Sequence, residues 1–271
     1  YAWTVGPQTT GNSARIRAVA HAGTLTVSDT SDAPFLIANA GNAYYVNDGS
    51  TAGDEYATAV GDNANSGKSA DQPMASLAAL LRAYDLDAGD VIYVDTGDYR
   101  LTGNIVLGEQ DSGVRIQGPV QVGDRALLNR GNTSGSSYVF ELRGADDVTL
   151  DHVAITGAAY GVYQKDGSGS ERFTLSGSEV FTNSYYAVYL VGAQEALIKN
   201  SRIYGHPGTG INLQGGTVRA EGNEVFGNST GIDAYTSVQS DQIEVVGNTV
   251  RENSSIGIRA TAAYAAPGSV L

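Results

Sequence analysis

The stretch GNEVFGNSTGIDA, Gly222–Ala234, is nearly rewritten as GNTVRENSSIGIRA, Gly247–Ala260. A fixed period constrains a chain more than any local propensity, because every unit must adopt the same shape and stack on the next. The pattern extends backwards. NSRIYGHPGTGINL carries Ile203 and Ile211, GSEVFTNSYYAVYL carries Val180 and Val188, and DHVAITGAAYGVYQ carries Ile155 and Val162. A first apolar mark thus falls at 155, 180, 203, 225 and 250, and a second at 162, 188, 211, 232 and 258.

Steps of 21 to 26 residues are too short for a propeller blade, and brief apolar alternations flanked by Gly, Asn and Ser are strand–turn–strand chemistry. One such unit cannot bury its marks alone, so units must stack as coils whose equivalent strands pair in parallel about 4.8 Å apart. The repeat therefore predicts an all-β parallel β-helix, a solenoid with inward ladders of Ile and Val. Asn183, Asn228 and Asn253 share one turn position, with His206 in their place in one coil. Asn tolerates the left-handed conformation and bonds local backbone, so these four are expected to form a turn ladder.

Upstream the register loosens, but VIYVDTG (Val91–Gly97), NIVLGE (Asn104–Glu109), GVRIQG (Gly113–Gly118) and YVFELRG (Tyr138–Gly144) read as further strands. In MASLAALLRAY, Leu77, Leu80, Leu81 and Tyr84 have helical spacing and Ser76 is placed to cap,. A helix near 76–84 would cover the open first coil, whose unpaired edges otherwise invite aggregation.

The segments AYYVNDGS (Ala43–Ser50), GDNANSGKSADQPMASLAALLRA (Gly61–Ala83) and AGDVIYVDTGDY (Ala88–Tyr99), followed by five coils, resemble the opening of right-handed parallel β-helix proteins of the pectin-lyase-like superfamily. The resemblance spans residues 43–271. It implies a right-handed solenoid over 41–271 with an N-terminal cap helix, and little about activity, since the superfamily holds lyases, hydrolases, epimerases, tailspikes and non-catalytic surface proteins. Residues 1–40 resemble the closing strands of an Ig-like or fibronectin-like sandwich, with Trp3 and Ile16 as core. At the other end, Ala266–Leu271 reads as the start of another coil, so the chain is expected to be a window cut from a longer polypeptide.

A net charge of −13 and a pI of about 4.5 argue against nucleic acid, which favours a basic face. They also argue against polyanions unless Ca²⁺ or a local basic patch intervenes. The absence of cysteine excludes disulfides and thiol chemistry,. No apolar run is long enough for membrane insertion by this segment.

The resemblance directs attention to the outer face of a parallel sheet. The residues after the second mark, Tyr163, Tyr189, Asn212, Asp233 and Arg259, should point outward, followed two positions on by Lys165, Val191, Gln214, Tyr235 and Thr261. Tyrosines beside amides, Asp, Lys and Arg suit contact with a sugar; a plain solvated face, on which Tyr is a good strand former, is the simpler alternative. Catalysis is not expected there. Glycoside hydrolysis needs two carboxylates across one bond, and Asp233 stands alone. The Asp-Pro-His motif of alginate epimerases is absent, and so are the clustered aspartates of calcium-dependent pectate lyases. His21, His152 and His206 fall at unrelated positions and form no triad. Asp48, Asp54, Glu55, Asp62, Asn63 and Asn65 lie in Gly-rich loops and are a candidate Ca²⁺ set by ligand type alone,. The expectation is a non-catalytic structural or adhesive module, extracellular or at a bacterial cell surface, whose partners are glycans or neighbouring copies. The alternatives are a lyase or epimerase on an acidic polysaccharide, and a phage-type receptor-binding spike.

Overall fold

In the computed structural model, which describes residues 11–33, 35–37 and 41–263, the two series of apolar marks become two ladders of one solenoid. Each coil gives one short strand to each of three parallel sheets. The first sheet has eight strands: Ala43–Val46, Val91–Val94, Arg115–Gln117, Thr149–Asp151, Thr174–Ser176, Ala196–Lys199, Thr217–Glu221 and Gln242–Val246. The second has seven, from Gly97–Arg100 through Ala126–Asn129, Val153–Thr156, Glu179–Phe181, Arg202–Tyr204 and Glu224–Phe226 to Thr249–Arg251. The third also has seven, from Ile105–Gly108 through Tyr138–Arg143, Tyr160–Gln164, Tyr186–Val191, Thr209–Gln214 and Thr230–Thr236 to Ile256–Ala262. The architecture is an all-β right-handed parallel β-solenoid with a single helix.

The ladders follow the sequence register. Ile155, Val180, Ile203, Val225 and Val250 pair in series on the second sheet. Val162, Val188, Ile211, Ile232 and Ile258 do so on the third. All are buried except Val250 and Ile258 in the last described coil. Each fully buried side chain contributes roughly 1.5–3 kcal/mol. Strands at Gly97–Arg100 and Ala126–Asn129 were not expected: GDYR resembles turn punctuation, and ALLN is an apolar run too short to show a period,.

Corners close the coils in two ways. Between the first and second sheets the chain turns through the left-handed region at His152, Gly177, Asn200, Gly222 and Gly247, with φ of 53, 55, 49, 63 and 63°. Side chains then bind the backbone of the preceding coil. Asn253 Oδ1 accepts from Asn228 N, Asn228 Oδ1 from His206 N, His206 Nδ1 from Asn183 N, and Asn183 Oδ1 from Ala158 N. These four residues occupy one column between the second and third sheets. A second ladder at the preceding corner was missed: Asn248 Oδ1 accepts from Asn223 N, Asn223 Oδ1 from Ser201 N, Ser201 Oγ from Ser178 N and Ser178 Oγ from Val153 N. Its signal lay in the repeat, two residues before each first apolar mark.

The helix runs Leu77–Ala83; the Ser76 hydroxyl accepts from Ala79 N at 3.3 Å, and Leu77 and Leu80 are buried against the start of the core. The N-terminal segment forms two antiparallel pairs, Gly11–Ala14 with Phe35–Ile37 and Arg17–Ala22 with Leu25–Thr30. Ile16, expected as core, is 54% exposed, because the hairpin beside it packs no side chain under a second layer among the described residues. Trp3 and Ala266–Leu271 lie outside the described residues.

Candidate functional site

The outer face of the third sheet gathers six tyrosines from three successive strands. Tyr138 pairs with Tyr160 and Tyr160 with Tyr186; Tyr163 pairs with Tyr189. Tyr185, 50% exposed, completes the group beside Tyr160. The rings of Tyr138, Tyr163 and Tyr189 stack with centroids 4.1 and 5.6 Å apart and planes 5 and 7° from parallel. Tyr160 stands edge-on to this stack. In consequence the ring faces are largely occupied by one another, and the group presents edges and hydroxyls outward. Burial pushes the phenols of Tyr138, Tyr160, Tyr163 and Tyr189 up, so they stay protonated donors at neutral pH,. Only Tyr163 and Tyr189 were foreseen; the others lie one residue or one strand start away from the repeat marks.

Towards the C-terminal coils the same column turns polar. Asn212, Asp233 and Arg259 stack in register, and Gln214 pairs with Tyr235. These groups bind each other. Gln214 Nε2 donates to Asn212 Oδ1 at 3.0 Å, Asn212 Nδ2 to Asp233 Oδ2 at 3.3 Å, and the Arg259 guanidinium forks onto both Asp233 oxygens. That fork holds the Arg259 pKa above its ordinary value. Asn212 and Asp233 are therefore buried, at 4% and 9% exposure, instead of standing free for a ligand. Lys165 and Tyr235 are exposed. Glu141 is a carboxylate the repeat did not reveal: it pairs with Tyr163 in this column and binds Arg143 at 2.6 Å. Four strand spacings, about 19 Å, separate it from Asp233, too far for paired-carboxylate hydrolysis.

The six loop residues offered for Ca²⁺ are not assembled into one centre. Asp48 accepts from Ser50 N and Asp98 N, Glu55 from Val120 N and Gln121 N, Asp62 from Ala64 N, and Asn63 from Ala75 N. Asn65 donates to Pro73 O. Asp54 is bound by Asn47 at 2.5 Å, and burial pushes its pKa up. Their oxygens brace the cap loops, and among the described residues no group of three or more His, Cys, Asp or Glu is placed to hold a metal.

The histidines are dispersed, as their spacing implied. His21 meets Thr26 in the N-terminal hairpin, and His206 is buried in the turn ladder. His152 differs, because its Nδ1 lies 2.7 Å from Asp151 Oδ1 while the other Asp151 oxygen is ion-paired to Arg115. It lines a cleft of about 520 Å³ with Arg125, Asp124 and Glu179.

Residues 138–268 match the family model described as right handed beta helix region. Among solved structures the chain resembles pectate lyase Pel9A, with a TM-score of 0.50 and 14% identity over 82% of this chain and 77% of that one. It also resembles the GH136 lacto-N-biosidase from Eubacterium ramulus, with a TM-score of 0.43 and 14% identity over 78% of this chain and 55% of that one. No curated protein matches the chain. The chain thus has a right-handed parallel β-helix fold like that of pectate lyase Pel9A; at this identity the likeness describes the fold alone. No helix among the described residues is long and apolar enough to cross a membrane.

Proposed function

We propose that this solenoid is a non-catalytic, glycan-contacting module of an extracellular, surface-associated protein. The observation that carries this reading is the tyrosine group of the third sheet, which places six phenol edges and hydroxyls on one face. Tyrosine combines an apolar body with a polar tip, the combination that sugar surfaces require. The lyase or epimerase alternative has less support, because Asp233 is neutralised by Arg259 and Lys165 stands apart from both. The spike alternative lacks a continuous apolar outer face, since the exposed large apolar residues are scattered,.

The test is a polysaccharide panel with and without Ca²⁺, read for binding and for unsaturated or reducing-end products. Binding without product, weakened at least several-fold by Tyr163→Ala or Tyr189→Ala, is the expected outcome. Product formation lost in Asp233→Ala would replace the module by an enzyme.

A further inference from the structure

The corner between the first and second sheets carries a second constellation, independent of the tyrosine face. Ala126 pairs with Val153, so Arg125 and His152 occupy the same corner one coil apart. His152 adopts φ 53° where the next coils use Gly177, Asn200, Gly222 and Gly247. A histidine thus stands at a corner position that the next coils fill with glycine or asparagine. Gly177 makes room for its ring: a Cβ there would lie 2.8 Å from His152 Cε1 and 2.9 Å from Nε2. Asp151, pinned by Arg115, lies against Nδ1, and a carboxylate there favours the neutral tautomer with the proton on Nδ1 and Nε2 as an acceptor,. Among the described residues Nε2 has no hydrogen-bond partner.

A smaller cleft of about 270 Å³ adjoins the first and shares Gly123 and Arg125 with it. Asp48 and Asp98 line its far side. The two clefts together cross the second-sheet strands from Gly97–Arg100 to Glu179–Phe181, three spacings or about 14 Å along the axis,. The groove carries one cation, Arg125, against four carboxylates, Asp48, Asp98, Asp124 and Glu179. Arg125 faces Glu179 at 4.0 Å. A polyanion meets no surplus of cations, whereas a hydroxyl-bearing chain meets alternating donors and acceptors.

We propose that this corner groove is a ligand site for a neutral oligosaccharide laid along the solenoid axis, with His152 Nε2 accepting from a sugar hydroxyl and Arg125 donating to a sugar oxygen. The proposal rests on the reading of the module as glycan-contacting and adds a second contact surface, on residues separate from the tyrosine face.

The experiment titrates the whole chain with neutral hexasaccharides (cello-, xylo- and manno-hexaose) and with hexagalacturonate, following His152 imidazole resonances by NMR and affinity by calorimetry. His152→Gly serves as the test variant, because glycine is the residue the fold uses at this corner. At least one neutral hexasaccharide is expected to shift the His152 resonances, and His152→Gly to weaken its binding tenfold or more without lowering Tm. Tyr163→Ala should leave this binding intact. Unmoved His152 resonances with every neutral probe, unchanged affinity in His152→Gly, or preference for hexagalacturonate would each overturn the proposal. Binding lost in Tyr163→Ala but kept in His152→Gly would sink the groove alone and leave the tyrosine face standing.

Discussion

His206 shows what one residue in a repeat can cost and why. It replaces asparagine in the turn ladder and satisfies much of the same bonding, with Nε2 near Val180 O at 3.1 Å and Nδ1 near Asn183 at 3.1 Å. It leaves Asn183 Nδ2 buried without a partner, whereas the corresponding amide of Asn228 donates to Asn253 Oδ1 and Ile203 O. A lone buried donor costs about 1–3 kcal/mol. His206→Asn supplies the missing acceptor and is expected to raise stability by about 1 kcal/mol in urea unfolding. Burial also lowers the His206 pKa to about 4, from 6.5. The unfolded chain therefore binds the proton first. The stability due to the neutral ring is full above pH 6.5 and is lost as pH falls through 4, by about 3 kcal/mol. Urea midpoints measured across this window should fall with pH in the wild type and fall less in His206→Asn. The spacing of the repeat placed His206 at its turn; its burial was not legible, because a turn reads as surface until the next coil is laid over it.

At the scale of strands and corners, two kinds of ladder invite comparison. On the outer face of the second sheet, Arg202 binds Glu179 at 2.6 Å and Glu224 at 3.2 Å, beside stacked Phe181, Tyr204 and Phe226. Its side chain is half exposed, so solvent screens both pairs,. The neighbouring Ile203 is fully buried. Ile203→Ala is expected to cost about 2–5 kcal/mol and Arg202→Ala less than about 1 kcal/mol, measured by denaturant unfolding. Asn223→Ala in the corner ladder belongs with the core substitution. It removes bonds to Ser201 N, Ile198 O and Asn248 at a site 1% exposed, and about 2–4 kcal/mol is the expected loss,. In the five C-terminal coils the strands of the second and third sheets were legible because each carries a recurring Ile or Val mark. Of the first sheet, Val91–Val94 and Arg115–Gln117 were legible as apolar alternations, whereas Thr149–Asp151, Thr174–Ser176 and Ala196–Lys199 were not, being short and without such a mark. The site was less legible than the fold for a related reason. The repeat fixes which residues face outward, but not that Arg259 folds back on Asp233 or that Tyr138 leans onto Tyr163.

For the whole molecule, stacking makes stability a property of neighbours. Inner coils are covered on both sides, and their ladders are fully buried. In the last described coil Ile258 is 50% exposed, and the inward Ile243, Val245 and Val250 are only partly buried. Hydrogen exchange of this chain should accordingly be slowest in strands such as Tyr186–Val191 and Arg202–Tyr204 and fastest, within the solenoid, in Gln242–Val246 and Ile256–Ala262. Equal protection along the solenoid would mean that the coils unfold as one unit instead of fraying from an end.

The three corners do not vary alike. From Thr149–Asp151 onward, one or two residues join the first sheet to the second, as between Asp151 and Val153 or Lys199 and Arg202, and three or four join the second to the third. The passage from the third sheet back to the first holds nine residues after Gln164, four after Val191, two after Gln214 and five after Thr236. Nearly all the drift in the period is absorbed there, away from both hydrogen-bonded ladders. This makes that edge the evolvable margin of the molecule, where foreign sequence can be accepted while the ladders keep count, and 165–170 is the place at which an engineer would graft a new recognition loop.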